Sequence, residues 1–434
     1  MTDSPTVHRT LDLALRVGEM LLSNGAGAAD VTATMSSITH HLGLRQAMVD
    51  VTFTKLEISY QSAYDLPAHT VVRHVTHRDT DFEDLTNVDQ IVADLLADRI
   101  DIDEARTRVA RIVSTGHHTP RWAVTSAWAL MGAGVAVLLG GGWVVAVIAA
   151  FAACGIEVIQ RKLARRRLPF FYAQTAGGMF ATLLAVATQA ADVDVDPSQV
   201  ITASIVMLLA GLGFIGAIQD ALTGFYVTAT ARVLEVMIST AGIIVGVSGG
   251  LTIGRLLGVN IALDPGVIGL ARLPLMIAGA AVAAAAFAYA SYAPGRTLLP
   301  IAAISGAAST IYLLLNEHDV GRAWSAAVAA IFIGMVGFTA ATWCRVPPLV
   351  LVVSCIVPLL PGLSIYRGLS LLAENDLAGI LAMITAAAIA ISLAAGVILG
   401  EFIAQPVRRE ARRLEQRLAG PRLVGPLRAR AKRR

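Results

Sequence analysis

Three charged side chains lie where charge is costly. Asp220, Arg232 and Glu235 fall in the stretch QDALTGFYVTATARVLE, between an apolar run from Val200 to Ile218 and another from Val236 to Ile253. A charge at the centre of a membrane helix costs about 2.5–3.5 kcal/mol on insertion scales. Two carboxylates and a guanidinium clustered at such a junction suggest a functional site. The plainer alternative is an ion pair that pins the loop. Gly224 marks the turn within it.

A second set follows downstream. Pro358, Pro361 and Gly362 interrupt an apolar run, and Tyr366 and Arg367 come directly after. Proline removes a backbone donor and glycine loosens the next turn. Freed backbone groups at membrane depth are tolerated where they line a wet cavity or a ligand site. Arg367 could meet a substrate carboxylate or simply reach the interface; both readings stand. Glu157 is a further carboxylate. Arg161 lies four residues on, so a helical ion pair is the favoured reading of Glu157.

The remaining chemistry-bearing residues carry less. His69, His74 and His77 suggest a metal, but on a strand positions 74 and 77 face opposite sides. His40-His41 and His117-His118 are adjacent pairs without a ligand framework. Glu19 and Asp30 flank the turn SNGAG and read as helix-end charges. Cys154, Cys344 and Cys355 fall in apolar runs and read as small buried hydrophobes. No metal, cofactor, catalytic residue or nucleic-acid partner is expected.

Composition sets the frame that must position these groups. The chain has 434 residues, 56% of them hydrophobic, and a mean hydropathy of +0.66. Eight of the nine histidines and most acidic residues precede position 120, and eleven Arg or Lys follow Glu401. Such asymmetry predicts a polar head, a membrane body and a cationic tail that could lie on anionic lipid. The opening stretch MTDSPTVHRTLDLALRVGE has no long apolar core, so no secretory signal is expected.

The head, residues 1–118, reads as a small α+β domain. Apolar spacing predicts helices over Leu11–Leu22, Ala28–Leu42, Val88–Arg99 and Ile102–Val113, with Asn87 capping the third. Alternation at Val49, Val51 and Phe53 and again at Ile58 and Tyr60 predicts a strand, with His69–Arg78 as its partner.

The body reads as ten spans. They are Trp122–Leu139, Trp143–Ile159, Phe170–Ala191, Val200–Ile218, Val236–Ile253, Leu273–Tyr292, Leu298–Leu315, Trp324–Cys344, Pro347–Leu363 and Leu377–Leu399. The basic loop Arg161–Arg167 and the acidic loop Asp192–Asp196 predict that both termini are cytoplasmic. LLAGL at Leu208–Leu212 and LLPGL at Leu359–Leu363 are offset by 151 residues, which divides the spans into five plus five. An odd number of spans per half inserts the halves in opposite senses, the plan of many secondary transporters. The modules would cover 119–270 and 271–401, and the tail 402–434.

Gly242, Gly246, Gly250 and Gly254 recur every fourth residue and predict close helix approach. The same run holds GVSGG, a G-x-S-x-G nucleophile pattern, but the body offers only His318 as a base. A membrane-bound hydrolase and a membrane sensor remain the competing classes.

Taken in order, GEMLLSNGAGAADV (Gly18 to Val31), VDVTFTKLEISY (Val49 to Tyr60), Asp220, Gly224, Ala231-Arg232, Glu235 and PGLSIYRGL (Pro361 to Leu369) resemble the threonine/serine exporter family. The resemblance runs from about Leu11 to about Glu401. Ala210 departs from it, standing where relatives often carry Pro before Gly. The resemblance implies two related five-span modules, a cytoplasmic head, and efflux of L-threonine and L-serine across the plasma membrane by a membrane potential or proton gradient. Protons and lipid would then be partners, with a homo-oligomer left open. Arg232, Arg367 and amides at Pro361-Gly362 would supply donors to the substrate carboxylate. Asp220 or Glu235 would accept its ammonium or carry a proton.

Overall fold

The computed structural model describes residues 4–62, 66–75, 80–117, 119–193, 195–208, 211–259, 272–318, 320–361, 364–365, 368, 371 and 376–415. The fold is mostly helical, with one small sheet near the N-terminus.

Four helices and a three-stranded sheet build the head. These are α1 (Ser4–Ser23), α2 (Ala28–His41), β1 (Met48–Val51), β2 (Lys55–Tyr60), β3 (His69–His74), α3 (Phe82–Leu96) and α4 (Ile102–Thr115). The sheet is an antiparallel meander in the order β1-β2-β3, with Val49 opposite Ile58 and Ile58 opposite Val71. The alternating run expected as one strand is thus two strands. The chain reverses at Thr52–Thr54, where Thr52 N–H donates to Lys55 O at 2.9 Å. Leu56, Ile58 and Tyr60 point inward from β2 and pack with Leu11, Leu15 and Leu22 of α1 and Met35 and Ile38 of α2.

The third helix begins earlier than expected. Asp81, not Asn87, is its N-cap, accepting from Asp84 N–H at 2.9 Å. Phe82 and Leu85 share the buried face of Val88, so the helix gains a further turn of core contact by starting there. Asn87 is left exposed in mid-helix.

Among the described residues, eight helices are long and apolar enough to cross a membrane. They are α5 (Arg121–Leu138), α6 (Trp143–Arg165), α7 (Phe170–Ala190), α10 (Tyr226–Leu256), α11 (Leu273–Ala290), α12 (Leu298–Glu317), α13 (Arg322–Cys344) and α15 (Ala378–Glu415). Between them lie shorter helices: α8 (Pro197–Ile205), α9 (Gly211–Leu222) and α14 (Pro348–Ile356). The fourth predicted span is therefore broken. It is α8, a 3-10 turn at Val206–Leu208, and then α9. The ninth has the same form, α14 followed by a 3-10 turn at Val357–Leu359. Each break comprises nine α-helical residues from a proline and then three in the tighter turn.

Two boundaries move. The polar stretch expected between spans four and five is mostly helix, because α10 starts at Tyr226 and carries Arg232 and Glu235. The turn shrinks to Thr223–Phe225. There Phe225 N–H donates to Asp220 O at 2.8 Å and Gly224 takes φ +93, a left-handed helix stop that favours glycine. At the other end α15 continues past Glu401 to Glu415, so a helix enters the basic stretch.

Glycine sets the closest helix contacts. A Cβ at Gly242 would lie 2.7 Å from Phe171 O, and one at Gly250 would lie 2.7 Å from Thr182 Cβ, so α10 meets α7 backbone to backbone. A Cβ at Gly396 of α15 would lie 2.7 Å from Ala327 O of α13. GVSGG lies inside the continuous α10 rather than on a strand-to-helix turn, so the nucleophile geometry is absent there.

Candidate functional site

The charged trio expected at the span junction is split by the fold. Asp220, on the last turn of α9, is fully buried, and Arg232, on the second turn of α10, is 8% exposed. Arg232 Nε lies 3.2 Å from Asp220 Oδ2. Glu235 lies one turn further along α10 and is exposed. A Cβ at Gly216 would lie 2.6 Å from Arg232 Nη1, so a side chain at that position on α9 would displace the guanidinium.

The pair grips the head. Helix α2 begins after Gly27, which has no side chain to cap it. Asp220 Oδ1 takes that place, accepting the Ala28 N–H at 2.9 Å from 192 residues away. Arg232 Nη2 donates to Ala26 O at 3.2 Å. One carboxylate and one guanidinium thus hold the backbone on both sides of Gly27, where the SNGAG turn enters α2. Asp30, in the first turn of α2, retains solvent access although protein surrounds it on most sides. That partial desolvation raises its pKa, and the charge of Asp220 adds to the rise. Glu19 is not a helix-end charge alone, since Arg73 Nη1 of β3 reaches it at 2.8 Å.

A polar cluster that sequence reasoning missed lies at the break in the fourth span. Gln174 of α7 is 2% exposed. Its Nε2 donates to Leu208 O at 3.3 Å and to Ser239 Oγ of α10 at 3.0 Å. Gln160 Nε2 of α6 donates to its Oε1 at 3.4 Å. The Leu208 side chain packs beside Gly177, where a Cβ would lie 2.9 Å from Leu208 Cδ2. The amide of Gln174, inside an apolar span, was the available signal. Ser239 lies seven residues after Arg232, on the same face of α10, so the break and the head contact share one helix surface.

At the second break a hydroxyl does this work. Ser305 Oγ of α12 donates to Cys355 O at 3.3 Å, and Cys355 Sγ lies 3.6 Å from Ile301 O. Pro361 is buried just beyond the 3-10 turn. Gly362, Tyr366 and Arg367 lie outside the described residues. Glu157 pairs with Arg161 at 3.0 Å and accepts from Thr125 Oγ1 of α5 at 3.1 Å, fastening α6 to α5.

The head touches the body at a second place. Phe82 N–H donates to Ser291 O at 2.9 Å, and the Phe82 ring meets Phe287 edge-on at 6.2 Å. His117 stacks on Tyr292 at 4.0 Å while its Nε2 lies 2.8 Å from Asp81 Oδ2. Ligand atoms of Asp81, Asp84 and His117 come within 4.8 Å of one another. Asp81 is already committed to capping α3 and pairing with His117, which is sufficient to explain the grouping. Burial, with the Asp81 charge second, raises the Asp84 pKa to about 6.

Comparison with known proteins agrees with this architecture. A family model described as "Putative threonine/serine exporter" matches residues 12–254, and one described as "Threonine/Serine exporter, ThrE" matches 276–403. The chain is 34% identical to the "Probable threonine/serine exporter" of Mycobacterium tuberculosis (strain ATCC 25618 / H37Rv), over 96% of this chain and 81% of the relative. It is also 34% identical to the "Threonine/serine exporter" of Corynebacterium glutamicum, over 95% and 86%. The "Probable succinate transporter subunit YjjP" of Escherichia coli (strain K12) is 28% identical over 57% of this chain and 95% of its own length. No solved structure matches. With its broken spans and the two models matching in sequence along its length, this multi-pass membrane chain belongs to the threonine/serine exporter family.

Proposed function

We propose that the protein exports L-threonine and L-serine from the cytoplasm by secondary active transport driven by the proton motive force. The observation that carries this reading is the like form of the two broken spans, α8 and α14 with their 3-10 turns. A helix interrupted at membrane depth frees backbone donors and acceptors where a small polar solute can use them. A sensor has no need of such breaks.

Two five-span modules inserted in opposite senses complete the reading. The 151-residue offset between LLAGL and LLPGL also carries Pro197 of α8 onto Pro348 of α14. Two family models, one ending at residue 254 and the next beginning at 276, and a relative whose printed name calls it a subunit and which spans 57% of this chain, are in keeping with separable halves. The basic loop Arg161–Arg167 supports a cytoplasmic head and cytoplasmic termini in this reading.

Asp220 and Arg232 then serve in coupling. They transmit movement of α9 and α10 to the head through the SNGAG turn. Glu235, exposed one turn on, carries a proton or meets the substrate ammonium. Gly224 lets α9 and α10 fold back on each other. Pro361 and Gly362, with Tyr366 and Arg367, receive the substrate carboxylate, and Glu157 steadies α6 against α5. The test is threonine efflux from preloaded cells, with and without a protonophore. Asp220→Asn and Glu235→Gln should each slow efflux at normal expression. Wild-type rates in both would remove these roles.

A further inference from the structure

Two breaks of like form are satisfied by unlike side chains. At the second, one hydroxyl, Ser305, meets the Cys355 carbonyl at the end of α14. At the first, three polar side chains gather: Gln174, Ser239 and Gln160. Gln174 is 2% exposed and Ser239 fully buried, each inside a helix of membrane-spanning length. Burying an amide costs about 1–3 kcal/mol on mutational scales unless it is fully bonded. One N–H of Gln174 is enough to meet Leu208 O, so its second N–H, its amide oxygen and their partners Ser239 and Gln160 exceed what the backbone requires.

The excess has the chemistry of a hydroxyl receptor. Gln174 offers N–H donors and a carbonyl acceptor, and Ser239 adds an oxygen beside them. One N–H is held by Leu208 O, and the Leu208 side chain fills the notch beside Gly177 and Ile156. Any movement of the 3-10 turn at Val206–Leu208 would withdraw both at once and free that N–H for a ligand.

We propose that Gln174 and Ser239 are specificity-determining residues that bind the side-chain hydroxyl of the exported amino acid at the break in the fourth span. The inference rests on the reading of the chain as an exporter of threonine and serine. Valine tests it, because valine matches threonine in shape and lacks the hydroxyl. A site built to hydrogen-bond a hydroxyl rejects such an analogue strongly, whereas an apolar pocket separates the two weakly.

The full-length protein in liposomes is assayed for labelled threonine counterflow against unlabelled serine or valine. In the wild type serine competes and valine does not. Gln174→Leu should raise the threonine KM and cut discrimination against valine by about tenfold or more. Ser239→Ala should do so to a lesser degree, and Ser239→Thr should restore it. A purely structural role would lower the rate or the yield for every substrate and leave the threonine-to-valine ratio alone. An unchanged ratio in Ser239→Ala and in any folded Gln174→Leu overturns the proposal. If the wild type moves no threonine, the exporter reading itself fails and this inference falls with it.

Discussion

Removing the carboxylate at position 220 should undock the start of α2. Asp220 has two tasks, capping Ala28 N–H at 2.9 Å and pairing with Arg232 at 3.2 Å. Asp220→Asn keeps an oxygen for the cap and removes the charge. It leaves a guanidinium with the Ala26 carbonyl and 10% side-chain exposure. Stranding one member of a buried pair costs about 3–5 kcal/mol, and the retained carbonyl contact argues for the lower end. Asp220→Ala also removes the cap, for about 1 kcal/mol more. The expected penalties are about 3 and about 4 kcal/mol, borne by the contact between head and body. At about 1.4 kcal/mol per tenfold, amides early in α2 should exchange roughly a hundredfold faster in Asp220→Asn, and faster again in Asp220→Ala. Hydrogen exchange read by mass spectrometry on peptides spanning Ser23–Met35 measures this directly. Adding Arg232→Met to Asp220→Asn removes the stranded charge and should recover part of the loss. Unchanged exchange across Ala28–Met35 in folded Asp220→Ala would refute the reasoning.

Other consequences are simpler to test. Burial raises the Asp89 pKa to about 6, so the folded state holds a proton that the unfolded state releases near pH 4. Stability contributed there is present at low pH and lost as pH rises from about 4 to about 6; Asp89→Asn should therefore raise the melting temperature at pH 7.5 and leave it unchanged near pH 4. At Gly246 a Cβ would lie 2.8 Å from Met179 N, so Gly246→Val should force α7 from α10 and cost about 1–3 kcal/mol, read as a lower melting temperature in detergent. His117→Ala removes the stack on Tyr292 and the contact with Asp81. It should speed proteolysis between α4 and α5 with little change in helix content by circular dichroism.

The apolar spacing within Leu11–Leu22 identified α1, because that cue acts within a few residues. The break in the fourth span was foreshadowed by its likeness to LLPGL, even without a proline at Ala210. What escaped depends on distance or on rival local cues. Asn87 suited a cap by residue type, but the cap is Asp81, six residues earlier, where starting the helix buries Phe82. Arg232 and Glu235 read as loop because hydropathy cannot distinguish a helix continuing into polar surroundings from a turn. No local pattern could show that Asp220 caps a helix 192 residues earlier. The role of Gln174 likewise appears only once α6, α7, α10 and the 3-10 turn are brought together.

Flux through the purified protein is the most direct trial of the account. Reconstituted in liposomes loaded with labelled threonine, it should release the amino acid faster when a proton gradient is imposed than after a protonophore collapses it, with serine as a competitor. Release no faster than from protein-free liposomes, with the fold intact by circular dichroism, would contradict the claim that the broken spans form a transport path.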